Sequence, residues 1–127
     1  MIDKILIIED DVDMCNELSE ALVDMGYQVK LVFDGLKGKK IIKKEKFDLI
    51  VLDLKIPKLD GYQILQFINQ KKISSKVIVI TARMRIHFED IALQIQEQKE
   101  DHLLKQVNFI LIKPFKLTEL INRIKLL

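Results

Sequence analysis

Five apolar runs of strand length punctuate the chain, at residues 4–8, 27–32, 47–52, 76–80 and 107–112. Isoleucine and valine dominate them. The first, third and fourth are continuous rather than alternating, the pattern of parallel strands buried on both faces. Between the runs, apolar residues fall at helical spacing. Met14, Leu18, Ala21, Leu22 and Met25 form one such stripe, and Gly26 follows as a C-terminal stop. Leu117, Leu120, Ile121 and Ile124 form another, after the break at Pro114. Helices also fit 35–45, 61–70 and much of 83–105. Strand and helix alternate throughout, which predicts an α/β fold: a five-stranded parallel sheet, doubly wound, with right-handed crossovers and helices on both faces. Ligands of such sheets bind beyond the carboxyl ends of the strands, where the strand order reverses. The residues just after each strand therefore carry the chemistry.

Composition narrows the classes without naming a function. A chain of 127 residues, 49% hydrophobic and 31% charged, is expected to make one domain spanning 1–127 with a core that needs no staples. Its single cysteine, Cys15, excludes an internal disulfide framework, and no Cys/His spacing suits structural zinc, so a cytoplasmic location is expected. No apolar run approaches the ~18 residues of a membrane span, and no signal peptide is expected. Twenty-one basic residues against nineteen acidic ones leave +2, too even a balance to argue for nucleic acid or a lipid surface. The densest charge run, residues 37–46 with six lysines, reads as the solvated face of the second helix.

The strand ends are more informative. Glu9, Asp10 and Asp11 follow the first run, where a nucleotide-binding sheet would place glycines. Asp53 follows the third, Thr81 and Ala82 the fourth, and Lys113, Pro114 and Phe115 the fifth. Together they make a pocket for handling a phosphoryl group with a divalent metal. Two carboxylates ~5 Å apart repel by roughly 3 kcal/mol at an effective dielectric of ~20, so three ionised acids need a compensating cation. Mg²⁺ suits oxygen ligands that leave room for water and phosphate. Lys113 adds a compact positive charge, and the Thr81 hydroxyl can donate to a phosphoryl oxygen. Asp11 reads as a helix N-cap, Asp60 and Gly61 as a turn and cap, and Cys15 as a packing residue. His87 and His102 have no partner cluster and read as solvated helix residues.

These residues resemble the receiver domains of two-component response regulators. Residues 7–11, Ile-Ile-Glu-Asp-Asp, are similar to the family's acidic first loop, and 50–61, from Ile50 through Asp53 to Gly61, to its phosphoacceptor strand and loop. Thr81-Ala82-Arg83 and Lys113-Pro114-Phe115 match its last two signatures. The resemblance covers essentially the whole chain. It implies a flavodoxin-like sheet of order 2-1-3-4-5 and a signalling switch that accepts a phosphoryl group on Asp53 in a Mg²⁺-dependent reaction. Glu9, Asp10 and Asp53 would hold the metal with the backbone carbonyl of Lys55, while Thr81 and Lys113 would contact the phosphoryl group. The implied donor is a histidine kinase or phosphotransfer protein, and the implied target is a downstream protein or an output domain outside this chain. Such a domain assists its own phosphorylation and is not a metabolic enzyme.

Two features depart from the receiver pattern. Ile110 stands where receivers carry a switch Tyr or Phe, and Phe109 is one place too early, facing the other side of its strand. The interval from Thr81 to Lys113 is longer than the family's usual one, and the polar stretch 94–101 interrupts the stripe of Phe88, Ile91, Ala92 and Ile95. Both departures fall on the fourth helix, fifth strand and fifth helix expected from the pattern, the surface through which a homodimer is expected. Ile110 keeps alive an alternative, a pseudo-receiver that binds proteins independently of phosphate. A metal-dependent phosphatase is a third class, but Lys55 stands where its general acid would be.

Overall fold

The computed structural model describes residues 1–82 and 102–127. In chain order the labelled elements are β1 (Lys4–Ile8), α1 (Val12–Asp24), β2 (Gln28–Val32), α2 (Gly35–Lys44), β3 (Leu49–Asp53), α3 (Gly61–Gln70), β4 (Lys76–Thr81), β5 (Phe109–Ile112) and α4 (Leu117–Lys125). The sheet order is β2-β1-β3-β4-β5, and every neighbouring pair is parallel. The expected topology is therefore the observed one. Of the helical stretch expected over 83–105, residues 102–104 are helical; 83–101, with His87 and the polar stretch 94–101, lie outside the described residues.

The continuous apolar runs follow from a sheet covered twice. Successive side chains alternate between faces. Ile5, Ile7, Leu49, Val51, Ile78 and Ile80 pack with Leu18 and Leu22 of α1 and Leu120 and Ile124 of α4. Leu6, Ile8, Ile50, Leu52, Val77 and Val79 pack on the other side with Ile42 of α2 and Ile64, Leu65 and Ile68 of α3. Each such side chain, fully buried, is worth roughly 1.5–3 kcal/mol relative to exposure. The edge strand β2 is freer to be polar, and Gln28 and Lys30 are exposed.

Local chemistry sets the ends of the elements. Asp11 caps α1, its Oδ1 accepting the Met14 amide at 3.0 Å. Gly26, at φ +99°, closes the same helix, with its amide on the Val23 carbonyl (2.9 Å) and that of Tyr27 on the Leu22 carbonyl (3.1 Å). That turn uses the Tyr27 amide, so β2 begins at Gln28 and not at 27. The third strand is displaced from the expected 47–52 to Leu49–Asp53. Asp48 spends its side chain on the amides of Asp3 (3.0 Å) and Lys4 (2.8 Å), and pairing with β4 runs on through Asp53, opposite Ile80. Thr81 likewise ends β4 opposite Ile112. Asp53 and Thr81 thus belong to the sheet itself. The lysine run on α2 is not wholly solvated either, since the ammonium groups of Lys39 and Lys43 sit 5.0 and 5.6 Å from the centre of the Phe67 ring on α3.

Candidate phosphoacceptor site

Three strands deliver side chains to one point at the carboxyl edge of the sheet, and a fourth, β4, meets them through its backbone. Glu9, directly after β1, is completely buried, with its amide on the Val32 carbonyl of the neighbouring strand at 3.1 Å. Asp53, the last residue of β3, is 3% exposed. Its Oδ1 accepts the Lys55 amide at 3.1 Å and its Oδ2 accepts the Lys113 ammonium at 3.0 Å. Lys113 also donates to Oε1 of Glu9, so one ammonium bridges both carboxylates. The second oxygen of Glu9 accepts the Asp10 amide at 3.0 Å. Thr81, nearly buried, accepts the Lys113 amide on its carbonyl at 2.7 Å, which fixes the root of the lysine side chain. The Lys113-Pro114 peptide bond is cis.

Burial and crowding reset the titration of this cluster. Loss of water is the main reason that the Glu9 carboxyl is pushed up to about 8; Asp53 adds to it, and Lys113 opposes it. Burial disfavours the Lys113 ammonium, but its hydrogen bonds to Glu9 and Asp53 outweigh that and hold its pKa above the ordinary value. Cys15 lies under the cluster, with its thiol donating to the Glu9 carbonyl at 3.3 Å. Burial first, and the charge of Glu9 next, push that thiol up to about 12, so it is an inert packing residue as expected.

Glu9, Asp10 and Asp53 each offer a carboxylate oxygen, and these three atoms lie within 4.8 Å of one another. With Mg–O about 2.1 Å, ligands of an octahedral Mg²⁺ stand about 2.9 Å apart when adjacent and about 4.2 Å when opposed, so the carboxylates, the exposed Asp10 above all, would draw together on binding. The donors are all hard oxygens and carry more negative charge than one lysine offsets. The residues present therefore fit a divalent cation of this kind.

The loop between β3 and α3 holds Asp53 in place, and here one residue's part escapes the sequence reading. The Gly61 amide donates to the Leu54 carbonyl at 2.8 Å, while Asp60 and Gln63 form a reciprocal capping box over the first turn of α3. A Cβ on Gly61 would lie 2.5 Å from Cα of Leu54 and 2.6 Å from the Asp53 carbonyl oxygen. Gly61 is thus more than a turn residue: it lets α3 start against the backbone of Asp53. The only sequence signal was its place beside Asp60. Gly61→Ala is expected to lower stability by about 1–3 kcal/mol, as overpacking against backbone does, and to slow any chemistry at Asp53. Urea unfolding checks the first effect, and an unchanged midpoint would refute it.

Of the residues singled out from sequence, Glu9, Asp53 and Lys113 are in direct contact and Asp10 is beside them. Thr81 reaches the group through its main chain, and Lys55 through its amide N–H. Asp11 is a cap and stands outside the cluster. Ile110 is 37% exposed, while Phe109 packs on the opposite face among the α1 and α4 side chains, under the Arg123 guanidinium. His102 is exposed beside Gln106.

A 2-1-3-4-5 parallel sheet with an acidic pocket and a lysine at its carboxyl edge is the architecture of CheY-like receiver domains. The sequence profile of the response regulator receiver domain matches residues 5–125, and the chain belongs to that family. It is 33% identical over 124 residues to the transcriptional regulatory protein PcoR of Escherichia coli, covering 98% of this chain and 50% of PcoR. The chain thus spans about half the length of the curated relatives it matches. Among solved structures it is similar to the signal receiver domain of a LuxO repressor protein from Vibrio parahaemolyticus, with TM-score 0.79 and 25% identity over 99% of this chain and 89% of that one. The response regulator TrrA of Thermotoga maritima, solved in complex with Mg²⁺-BeF, shares the fold, with TM-score 0.77 and 22% identity over 98% and 97% of the two chains.

Proposed function

We propose that this receiver domain is a switch that accepts a phosphoryl group on Asp53 from a phosphohistidine donor. One observation carries the reading: the Asp53 carboxylate sits at the end of a central buried strand, with a lysine on one oxygen and two further carboxylates beside it. In the reaction an Asp53 oxygen attacks phosphorus, the P–N bond to the donor imidazole breaks, and the imidazole nitrogen takes a proton. Lys113 and the Lys55 amide orient the attacking carboxylate. Thr81, at the end of the adjoining strand, would donate its hydroxyl to the new phosphoryl group. Glu9, Asp10, Asp53 and the carbonyl of Lys55 would hold Mg²⁺; TrrA, which shares the fold, was solved in complex with Mg²⁺-BeF. When bound, the ion supplies charge neutralisation between carboxylates and phosphoryl oxygens. Partners are a histidine kinase or phosphotransfer protein and a downstream target, and the setting is cytoplasmic. The domain acts as a signalling phosphoacceptor and not as a metabolic enzyme. Incubation with a small phosphodonor and Mg²⁺, followed by mass spectrometry, tests this: one acid-labile phosphoryl group, removed also by hydroxylamine, is expected, and none would overturn it. Absence of labelling would favour the phosphate-independent module to which Ile110 points.

The burial of Glu9 gives the metal dependence a pH signature. Its folded pKa of about 8 lies above the ordinary 4.5, so between these values the folded chain keeps a proton that the unfolded chain has released. Metal-free stability therefore falls as pH rises through that window, while a metal gains a ligand. The rise in melting temperature produced by Mg²⁺ over chelator is expected to grow from pH 6 to pH 8.5, with apparent affinity changing about tenfold per unit below pH 8. A Mg²⁺ effect that is flat with pH would contradict this.

A further inference from the structure

The far end of the sheet carries the opposite charge. Residues leading into β3 and β4 and the C-terminal ends of α2 and α3 surround a cleft of about 440 Å³ at the amino edge. Five exposed lysines line it: Lys43 and Lys44 from the last turn of α2, Lys46 beyond it, and Lys71 and Lys72 where α3 ends. None of the five pairs with a carboxylate among the described residues. The cleft's one acid among the described residues, Glu45, is already engaged by Lys4 at 2.7 Å and Lys30 at 3.2 Å. Helix dipoles favour cations in a last turn, which explains Lys43 and Lys44. They do not explain why Lys46, Lys71 and Lys72, outside the helical segments, converge on the same hollow and add to its repulsion.

We propose that this cleft binds a compact linear polyphosphate. Its volume lies in the range of small-ligand sites. Among the described residues it contains no arginine for bidentate recognition, and its aromatic residue, Phe47, is 5% exposed and offers no stacking face. Recognition would therefore rest on point charges, assisted by the Ser74 hydroxyl; that of Ser75 is held by the Phe47 carbonyl at 2.6 Å. An extended acidic peptide turns alternate carboxylates to opposite sides and brings one to the cleft only every ~6.6 Å. A polyphosphate carries charge on every unit. A nucleic acid duplex presents its phosphates on a convex surface, which a concave site does not match.

Isothermal titration with inorganic tripolyphosphate, without Mg²⁺ and at low ionic strength, is expected to show one saturable site. Neutralising two cleft lysines together, Lys46→Gln with Lys71→Gln, is expected to weaken it about tenfold, with circular dichroism confirming the fold. Lys37→Gln, an exposed lysine at the other end of α2, is expected to leave it unchanged. Absence of saturable binding, or equal weakening by Lys37→Gln, would overturn the proposal. Tighter binding of poly-glutamate or duplex DNA that the double variant abolishes would overturn the choice of ligand and assign the cleft to an acidic protein or to nucleic acid.

Discussion

Asp53→Asn is expected to leave the chain at its unmodified mass after phosphodonor treatment, with labelling reduced to background, while the protein stays folded. The amide is isosteric but not a nucleophile at oxygen. It can still accept the Lys55 N–H on Oδ1, so the local backbone geometry survives. What it loses is the ion pair with Lys113, which remains anchored on Glu9. Removing Asp53's charge also removes one of the influences that raise the Glu9 carboxyl, so Glu9 gives up its proton more readily in the variant. The outcome separates two cases that a loss of signalling alone would confuse. Full labelling of the variant would move the phosphoryl group to another residue, with the adjacent Asp10 first in line. Loss of label together with loss of fold would show instead that the Asp53 charge is structural.

Much of this was legible because the sheet is covered on both faces. That condition forces the continuous apolar runs of β1, β3 and β4, and with them the positions of the strand ends at which Glu9, Asp53 and Thr81 stand. Helix ends were readable where one residue type does the work, as at Asp11 and Gly26. The starts of β1 and β4 were readable too, at residues 4 and 76, but those of β3 and β5 were not, where side chains bond to residues distant in sequence: Asp48 ties down the amides of residues 3 and 4, and the Asn108 side chain accepts the Val77 amide at 2.9 Å ahead of β5. The unequal fates of three neighbouring acids were also hidden. Glu9, Asp10 and Asp11 look alike in sequence, yet one is fully buried, one half-free at the pocket and one a cap. Only the hydrogen bonding of Glu9 to Lys113, over a hundred residues away, distinguishes them. Gly61 shows the same limit, since its clash partner is backbone whose position no residue type encodes.

Lys113→Ala is expected to keep phosphorylation and lose its consequence. In the unphosphorylated chain Lys113 spans Glu9 and Asp53, so its contacts there are already made. A phosphoryl group on Asp53 converts that carboxylate into an ester-like oxygen and presents new anionic oxygens beyond it. The ammonium must then exchange one partner for another, and because its main chain is bonded to Thr81, the exchange pulls on β4 and β5. Driving a two-state equilibrium from 1:99 to 99:1 takes about 5.5 kcal/mol of differential interaction, more than the ~1 kcal/mol of a hydroxyl hydrogen bond from Thr81. Without the lysine, the two states differ too little for phosphate to select between them. The variant also strands Glu9 without its cation. Because Glu9 can take up a proton, and the lysine was partly exposed, the expected stability loss is about 1–3 kcal/mol and not the full penalty of a buried charge. Amide NMR spectra before and after phosphodonor treatment decide the matter. Wild-type changes are expected to extend through β5 and α4, and those of the variant to stop at the residues around Asp53. Equally widespread changes in both would show that coupling runs through Thr81 alone.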